Sequence, residues 1–320
     1  MELRIESINE DVHLHSDISA LGKAIIKTIL YFDIFNYPLK QNELYNYCQY
    51  KSASVNEIKK ETESLVKEGY VRMKDDFYFV SDDLSIIERR ITGNRISEKY
   101  LKAAYKYSRI ISRFPFVEGI GITGSLSKNY MEESGDIDYF IITAPNRLWI
   151  CRTLLILFKK IFLLNSHKYF CVNYFIDTNN LEIPDKNIFT ATELVFVIPT
   201  YNRDLYNKFM DSNSWANDYY PNFRRIKSLK DIPERTYWVR NIVEKILKGR
   251  VGEWLDSLFF KTTLKHWKKK FKDFNEEDFD LNMRSRKSAS KHHPSGFQTK
   301  VLKGLEEKIN SYEQRFNVKL

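Results

Sequence analysis

Across residues 21–35 (LGKAIIKTILYFDIF) the apolar side chains Ile25, Ile29, Phe32 and Phe35 recur every three or four positions. This spacing predicts a helix with one buried face, ended by Tyr37-Pro38. A second, short helix is predicted over residues 41–48. Residues 54–68 open on Ser54 with Glu57 three positions later, a pairing in which each side chain accepts from the other's free backbone N–H, and they stop at Gly69. Residues 70–73 and 77–80 then flank Lys74-Asp75-Asp76 as a hairpin. From 84 to 113 the interval is helical again, with Tyr100, Ala104, Tyr107, Ile110 and Ile111 in one stripe and Gly93 offering a break.

The rhythm then shortens. Val117, Ile120 and Ile122 mark a strand over 116–123 that stops at Gly124-Ser125, and a second apolar run over 137–143 starts beside Asp136 and Asp138. A helix over 147–164 and a strand over 169–177 follow. Thr190 and Glu193 repeat the capping spacing, so Glu193 is assigned to the start of a helix running to about residue 198, before Pro199. Beyond Pro221 helices are predicted over 237–248, 254–271 and 299–316, with no strand pattern. Residues 282–296 (NMRSRKSASKHHPSG) have the composition of a loop. The whole reads as an α+β chain: a polar leader and small helical module with a hairpin (1–83), a connecting helix (84–115), a mixed-sheet domain (116–220) and a helical C-terminal domain (221–320). Three helices and a hairpin resemble a winged helix. In the DNA-reading versions of that fold the third helix enters the major groove, but here Lys59 and Lys60 are offset by Glu57, Glu61 and Glu63. DNA binding is therefore a lesser expectation than a structural or protein-contacting role.

Composition adds three constraints. A chain of 320 residues that is 43% hydrophobic can fill more than one core. The net charge of +9 is lopsided: residues 221–320 hold 24 Lys and Arg against 13 Asp and Glu, leaving the rest close to neutral, so an anionic partner is expected at the C-terminal third. On its helices, Lys265, Lys268, Lys269 and Lys270 read as a solvated face. Cys48, Cys151 and Cys171 lack metal-site or disulfide spacing and read as buried thiols. The leader lacks the basic start and apolar core of a secretory signal, and residues 148–164 are interrupted by Arg152, Lys159 and Lys160. No membrane span is expected, and cytoplasmic residence is the default.

Candidate chemistry concentrates in residues 120–143 (IGITGSLSKNYMEESGDIDYFIIT). Side chains alternate along a strand, so Asp136 and Asp138 share a face with Ile137 turned away. That brings two carboxylates within a few Å, as Mg²⁺ binding requires. An apolar strand, Gly-Ser, a short polar segment, Asp-x-Asp and a second apolar strand, in that order, resemble the nucleotidyltransferase superfamily, which shares its fold with the catalytic domain of DNA polymerase beta. The resemblance covers roughly residues 116–220. It implies a mixed sheet with flanking helices and a Mg²⁺-dependent transfer of a nucleoside monophosphate from a nucleoside triphosphate to an acceptor, with pyrophosphate released. Two Mg²⁺ ions, held by Asp136 and Asp138, would stabilise the entering and leaving oxygens. Gly124 would let the backbone approach the triphosphate, Ser125 would hydrogen-bond it, and Lys128 would either reach a phosphate or lie idle on the surface.

Family members usually carry a third carboxylate on a neighbouring strand. On the strand over 169–177, alternation places Cys171, Asn173, Phe175 and Asp177 on one face, so Asp177 is the acidic candidate and Asn173 the more central residue. If Asn173 holds the family position, the expectation shifts to a weakened enzyme that binds nucleotide as a sensor or scaffold. Arg284, Arg286, Lys287, Lys291, His292 and His293 are candidates for further substrate or phosphate contacts, the alternative being a solvated basic loop. The acceptor, whether RNA, protein or small molecule, is not written in these motifs.

Overall fold

The computed structural model describes residues 18–51, 53–224, 231–233 and 237–320; the polar leader at 1–17 lies outside them. The first helix, α1 (Ala20–Asp33), begins where the Ser19 hydroxyl accepts from the Gly22 N–H. Strand β1 (Leu39–Lys40) and helix α2 (Gln41–Tyr47) follow. Helix α3 (Val55–Lys67) starts with the reciprocal Ser54–Glu57 bonds at 3.2 and 2.7 Å. Strands β2 (Arg72–Lys74) and β3 (Phe77–Phe79) are joined by Asp75 and Asp76, both left-handed as a tight two-residue hairpin turn requires. The three strands form an antiparallel sheet in the order β1-β3-β2.

Helix α4 (Ser85–Ile111) runs unbroken through Gly93. Glycine serves there not as a break but as clearance: a Cβ would lie 2.3 Å from the Tyr130 ring, which packs against the bare backbone.

The central sheet has the order β7-β4-β5-β6-β9-β8. Strand β4 (Val117–Thr123) leads into the one-turn helix α5 (Gly124–Ser127). Strand β5 (Asp138–Thr143) returns antiparallel to β4, helix α6 (Leu148–Phe162) crosses over, and β6 (Cys171–Asp177) lies parallel to β5. Helix α7 (Ile188–Phe196) stops earlier than its apolar run suggested, because residues 198–201 form β7 (Ile198–Tyr201) on the far side of β4. Pro199 is tolerated because β7 is an edge strand. Helices α8 (Arg203–Ser212) and α9 (Ala216–Tyr219) follow.

The C-terminal third departs from the expectation of an all-helical domain. After α10 (Trp238–Leu247), α11 (Arg250–Lys270) and α12 (Glu276–Met283), residues read as loop form a hairpin, β8 (Ser285–Arg286) and β9 (Ala289–Lys291), that pairs with β6. Strands of two and three residues are too short to show alternation, and their partner lies over a hundred positions upstream. The last helix, α13 (Phe297–Phe316), returns to the N-terminal module, where the Tyr312 hydroxyl donates to the Tyr70 carbonyl at 2.6 Å and Lys308 pairs with Asp33.

One face of the sheet, through Phe140, Ile142 and Ile176, shares a core with α1, α7 and α13. The other, through Tyr139, Ile141 and Phe175, packs against α4, α6 and α11. Among the described residues no helix is long and apolar enough to cross a membrane.

Candidate functional site

Where β4 ends, the chain must turn sharply while staying against β5, because Thr123 pairs with Asp138 in the ladder. Gly124 makes the turn at φ +68°, and a Cβ there would lie 2.5 Å from Asp138 Oδ2. Both the left-handed backbone and the close carboxylate select glycine. Asp136, in the loop before β5, and Asp138, its first residue, open on one cavity of about 530 Å³, with Ile137 buried behind them as alternation predicts. Burial and the neighbouring charge of Asp136 raise the Asp138 carboxyl to about 7.

On the neighbouring strand Cys171 is the register partner of Asp138, and Asn173, two residues on, reaches the same carboxylate: its Nδ2 donates to Asp138 Oδ1 at 2.8 Å. It sits at a register shift, since Tyr139 pairs with Val172 but Phe140 with Tyr174. This bulge breaks strict alternation. Asp177 does not join the site. It pairs with Thr143 at the other end of β5, six residues from the Cys171–Asp138 pair and so about 20 Å along the strand. Its Oδ1 accepts from the Asn179 N–H and the Asn180 amide, closing the turn after β6. The strand direction, which alternation alone does not reveal, decides between the two candidates in favour of the amide.

Ser125 is exposed on α5 and lies outside the cavity wall, as does Lys128. Lys128 Nζ is committed to Glu193 at 2.7 Å and to the Gly124 carbonyl at 3.1 Å. Glu193 is therefore not a cap: Asn187 accepts the Thr190 N–H, and Glu193, deeper in α7, accepts from the Gly124 N–H at 3.3 Å and lines the cavity. Its capping spacing concealed this position.

The basic residues of the hairpin separate into two groups. Arg284 is buried and forks onto Asp185 at 3.0 and 2.8 Å, while exposed Arg286 pairs with Asp280 at 3.0 Å, so neither reaches the cavity. Lys291, His292 and His293 do line it. Lys291 donates to Gln298 Oε1 at 3.0 Å and lies 3.6 Å from Asp185; burial lowers its pKa. The His292 N–H donates to the Asn173 carbonyl at 2.9 Å, which anchors the hairpin beside the bulge. Burial first, then neighbouring positive charge, pushes both imidazoles down to about 4, so at neutral pH they are uncharged and do not titrate as expected from the sequence.

Helix α6 supplies a wall that its apolar composition hid. Arg152, Ile156 and Lys159, spaced i, i+4, i+7, turn one stripe to the cavity. Lys159 Nζ lies 3.3 Å from His167 Nδ1. The ligand atoms of Asp136, His167 and Cys171 lie within 4.8 Å of one another, an O, N, S set suited to a transition metal more than to Mg²⁺. The Lys159 ammonium already brings positive charge to that corner.

The residues present fit one Mg²⁺, not two. Mg²⁺ is usually held by one or two carboxylates plus substrate phosphates, and Asp136 and Asp138 offer hard oxygens to the cavity. A second ion would need a further carboxylate where Asn173 stands donating its amide hydrogen. No protein-family model matches the chain, and neither a curated protein nor a solved structure matches it.

Proposed function

We propose that the protein is a nucleotidyltransferase that moves a nucleoside monophosphate from a nucleoside triphosphate to an acceptor and releases pyrophosphate. The observation that carries this reading is the contact between the left-handed Gly124 turn and the Asp138 carboxylate at the paired ends of β4 and β5, with Asp136 beside it. That arrangement puts a phosphate-approachable backbone against two oxygen ligands for a divalent cation. Asp136 and Asp138 would hold one Mg²⁺, which when bound neutralises charge on the phosphate oxygens. A phosphate seated on the turn would take the Gly124 N–H from Glu193, leaving that carboxylate to Lys128. In the transfer an acceptor oxygen bonds to the α-phosphorus, the bond to the β-phosphate bridging oxygen breaks, and pyrophosphate leaves with the electron pair.

The N-terminal module reads as winged-helix-like, with a structural task. Its core is continuous with the central sheet, and on α3 Lys59 faces Glu63 at 3.9 Å, a poor surface for DNA.

A second reading rests on Asn173: with an amide at the third position, the site binds nucleotide without turning it over. One experiment separates the two. The protein is incubated with labelled nucleoside triphosphates and Mg²⁺ beside Asp136→Ala and Asp138→Ala, and pyrophosphate release is followed together with nucleotide binding. Release by wild type alone supports transfer. Asp136-dependent binding without release selects the sensor, and equal signals from all three chains refute both.

A further inference from the structure

Arg152 is an unusual guanidinium. It lies on the cavity wall, stacked over Trp267 at 4.6 Å and near Trp149 at 5.7 Å, and among the described residues no carboxylate or carbonyl takes its N–H donors. Lys291, by contrast, is engaged by Gln298 and Asp185, and Lys159 Nζ meets His167 Nδ1 at 3.3 Å. Arg152 is half-buried there without an acid beside it, and burial alone pulls its pKa down to about 10. Lys159 lies two turns along the same face of α6, and His292 contacts the Trp267 ring from the hairpin at 4.9 Å. Three nitrogen-bearing side chains from two elements thus converge on one corner, where the Arg152 donors are unspent and, among the described residues, no carboxylate pairs with Lys159.

Strand order locates that corner relative to the proposed chemistry. Across the sheet edge the turn at Gly124 follows β4, Asp138 opens β5, Asn173 lies on β6, and His292 follows β9. The acid pair therefore stands between the turn expected to hold the triphosphate and the Arg152 corner, two strand spacings or about 10 Å beyond β5. A transferred group must reach an acceptor on the side away from the departing pyrophosphate.

We propose that Arg152 and Lys159, with His292, bind an oxyanion, a phosphate or carboxylate group on a small acceptor molecule. The acceptor role rests on the transferase reading; the oxyanion site does not. A cavity of about 530 Å³ is of small-molecule size. Arginine's planar fork is suited to two oxygens of one such group.

The test titrates the full-length protein, without nucleotide or Mg²⁺, with inorganic phosphate and separately with succinate. Binding is read by calorimetry and by the fluorescence of Trp149 and Trp267. Saturable binding of either anion is expected. Arg152→Met and Lys159→Met should each weaken it by about ten- to a hundredfold, Arg152→Lys should recover part of the loss, and Arg286→Gln, exposed on the same hairpin, should leave it unchanged. Phosphate-only binding identifies a phosphorylated acceptor and succinate-only binding a carboxylate. Asp136→Ala should abolish pyrophosphate release while keeping anion binding. If wild type releases no pyrophosphate yet binds phosphate through Arg152, the transferase reading falls and the oxyanion site stands. No saturable binding of either anion, or wild-type affinity in both methionine variants with native circular dichroism, overturns the proposal.

Discussion

Replacing Gly124 by alanine tests how tightly the turn and the acid pair are built together. Two costs are readable from the structure. A β-carbon at φ +68° is disfavoured by about 1 kcal/mol. That carbon would also sit 2.5 Å from Asp138 Oδ2 and 3.3 Å from its Cγ, so the carboxylate must withdraw by about 1 Å to reach ordinary contact. Rotating it away strains the 2.8 Å bond from Asn173, worth about 1 kcal/mol more. Gly69 is the matched control, being left-handed at φ +82° with nothing within 4 Å of a built Cβ. Denaturant unfolding should therefore show Gly69→Ala losing about 1 kcal/mol and Gly124→Ala about 2. Function should separate them further. Nucleotide-dependent pyrophosphate release should survive Gly69→Ala and fall about a hundredfold in Gly124→Ala, the usual consequence of moving a positioned group by 1 Å. In an Asp138→Ala background the extra cost at Gly124 should vanish. If Gly124→Ala costs the same with and without the Asp138 side chain, the close-approach argument is wrong.

Three further outcomes follow from burial and charge. Arg284→Met removes a buried guanidinium and leaves half-buried Asp185 without its fork, and should cost about 2 kcal/mol by chemical denaturation, whereas Arg286→Gln, at an exposed pair, should stay within about 0.5; equal costs would contradict the assignment of Arg284 as a structural clamp. His292 and His293 have native pKa values near 4, below the unfolded value, so their stability contribution is full above about pH 6.5 and is lost as pH falls through 4. His293→Gln should flatten the unfolding free energy between pH 7 and 4 by about 2 kcal/mol, and an unchanged slope would refute the buried neutral ring. Asp256 shows the opposite sign: burial raises its carboxyl to about 6 although Oδ1 accepts the Ile150 N–H at 2.9 Å, so its cost enters as pH rises above the unfolded value. Asp256→Asn keeps that acceptor and should gain about 1–2 kcal/mol at pH 8 and nothing at pH 3, measured by urea titration.

Local chemistry was legible in the chain. The Ser54–Glu57 cap, the Asp75-Asp76 turn and the Gly124 to Asp138 spacing are each set by a few neighbouring residues, and each appears where its spacing put it. What misled was information carried by partners far away. Asp177 and Asn173 shared a face on paper, but only the parallel pairing of β6 with β5 shows which end meets Asp138, and the bulge at Asn173 alters the alternation. Glu193 matched a cap by spacing while its carboxylate faces Lys128, 65 positions earlier. Arg152 and Lys159 read as interruptions of an apolar run, because a helix sequence shows its polar stripe but not whether water or a cavity lies beneath it. The β8-β9 hairpin was invisible because its ladder is made with β6.

That hairpin also fixes when the cavity can exist. The acids are synthesised by residue 138, but the wall that carries His292 and His293, together with helix α13, which packs against α1, comes from residues 285–316. A nascent or C-terminally clipped chain therefore holds Gly124, Asp136 and Asp138 with one side open to water and β6 exposed as a sheet edge. The site is complete only once α13 is seated against α1, so the presence of residues 285–316 is itself a condition for a closed site.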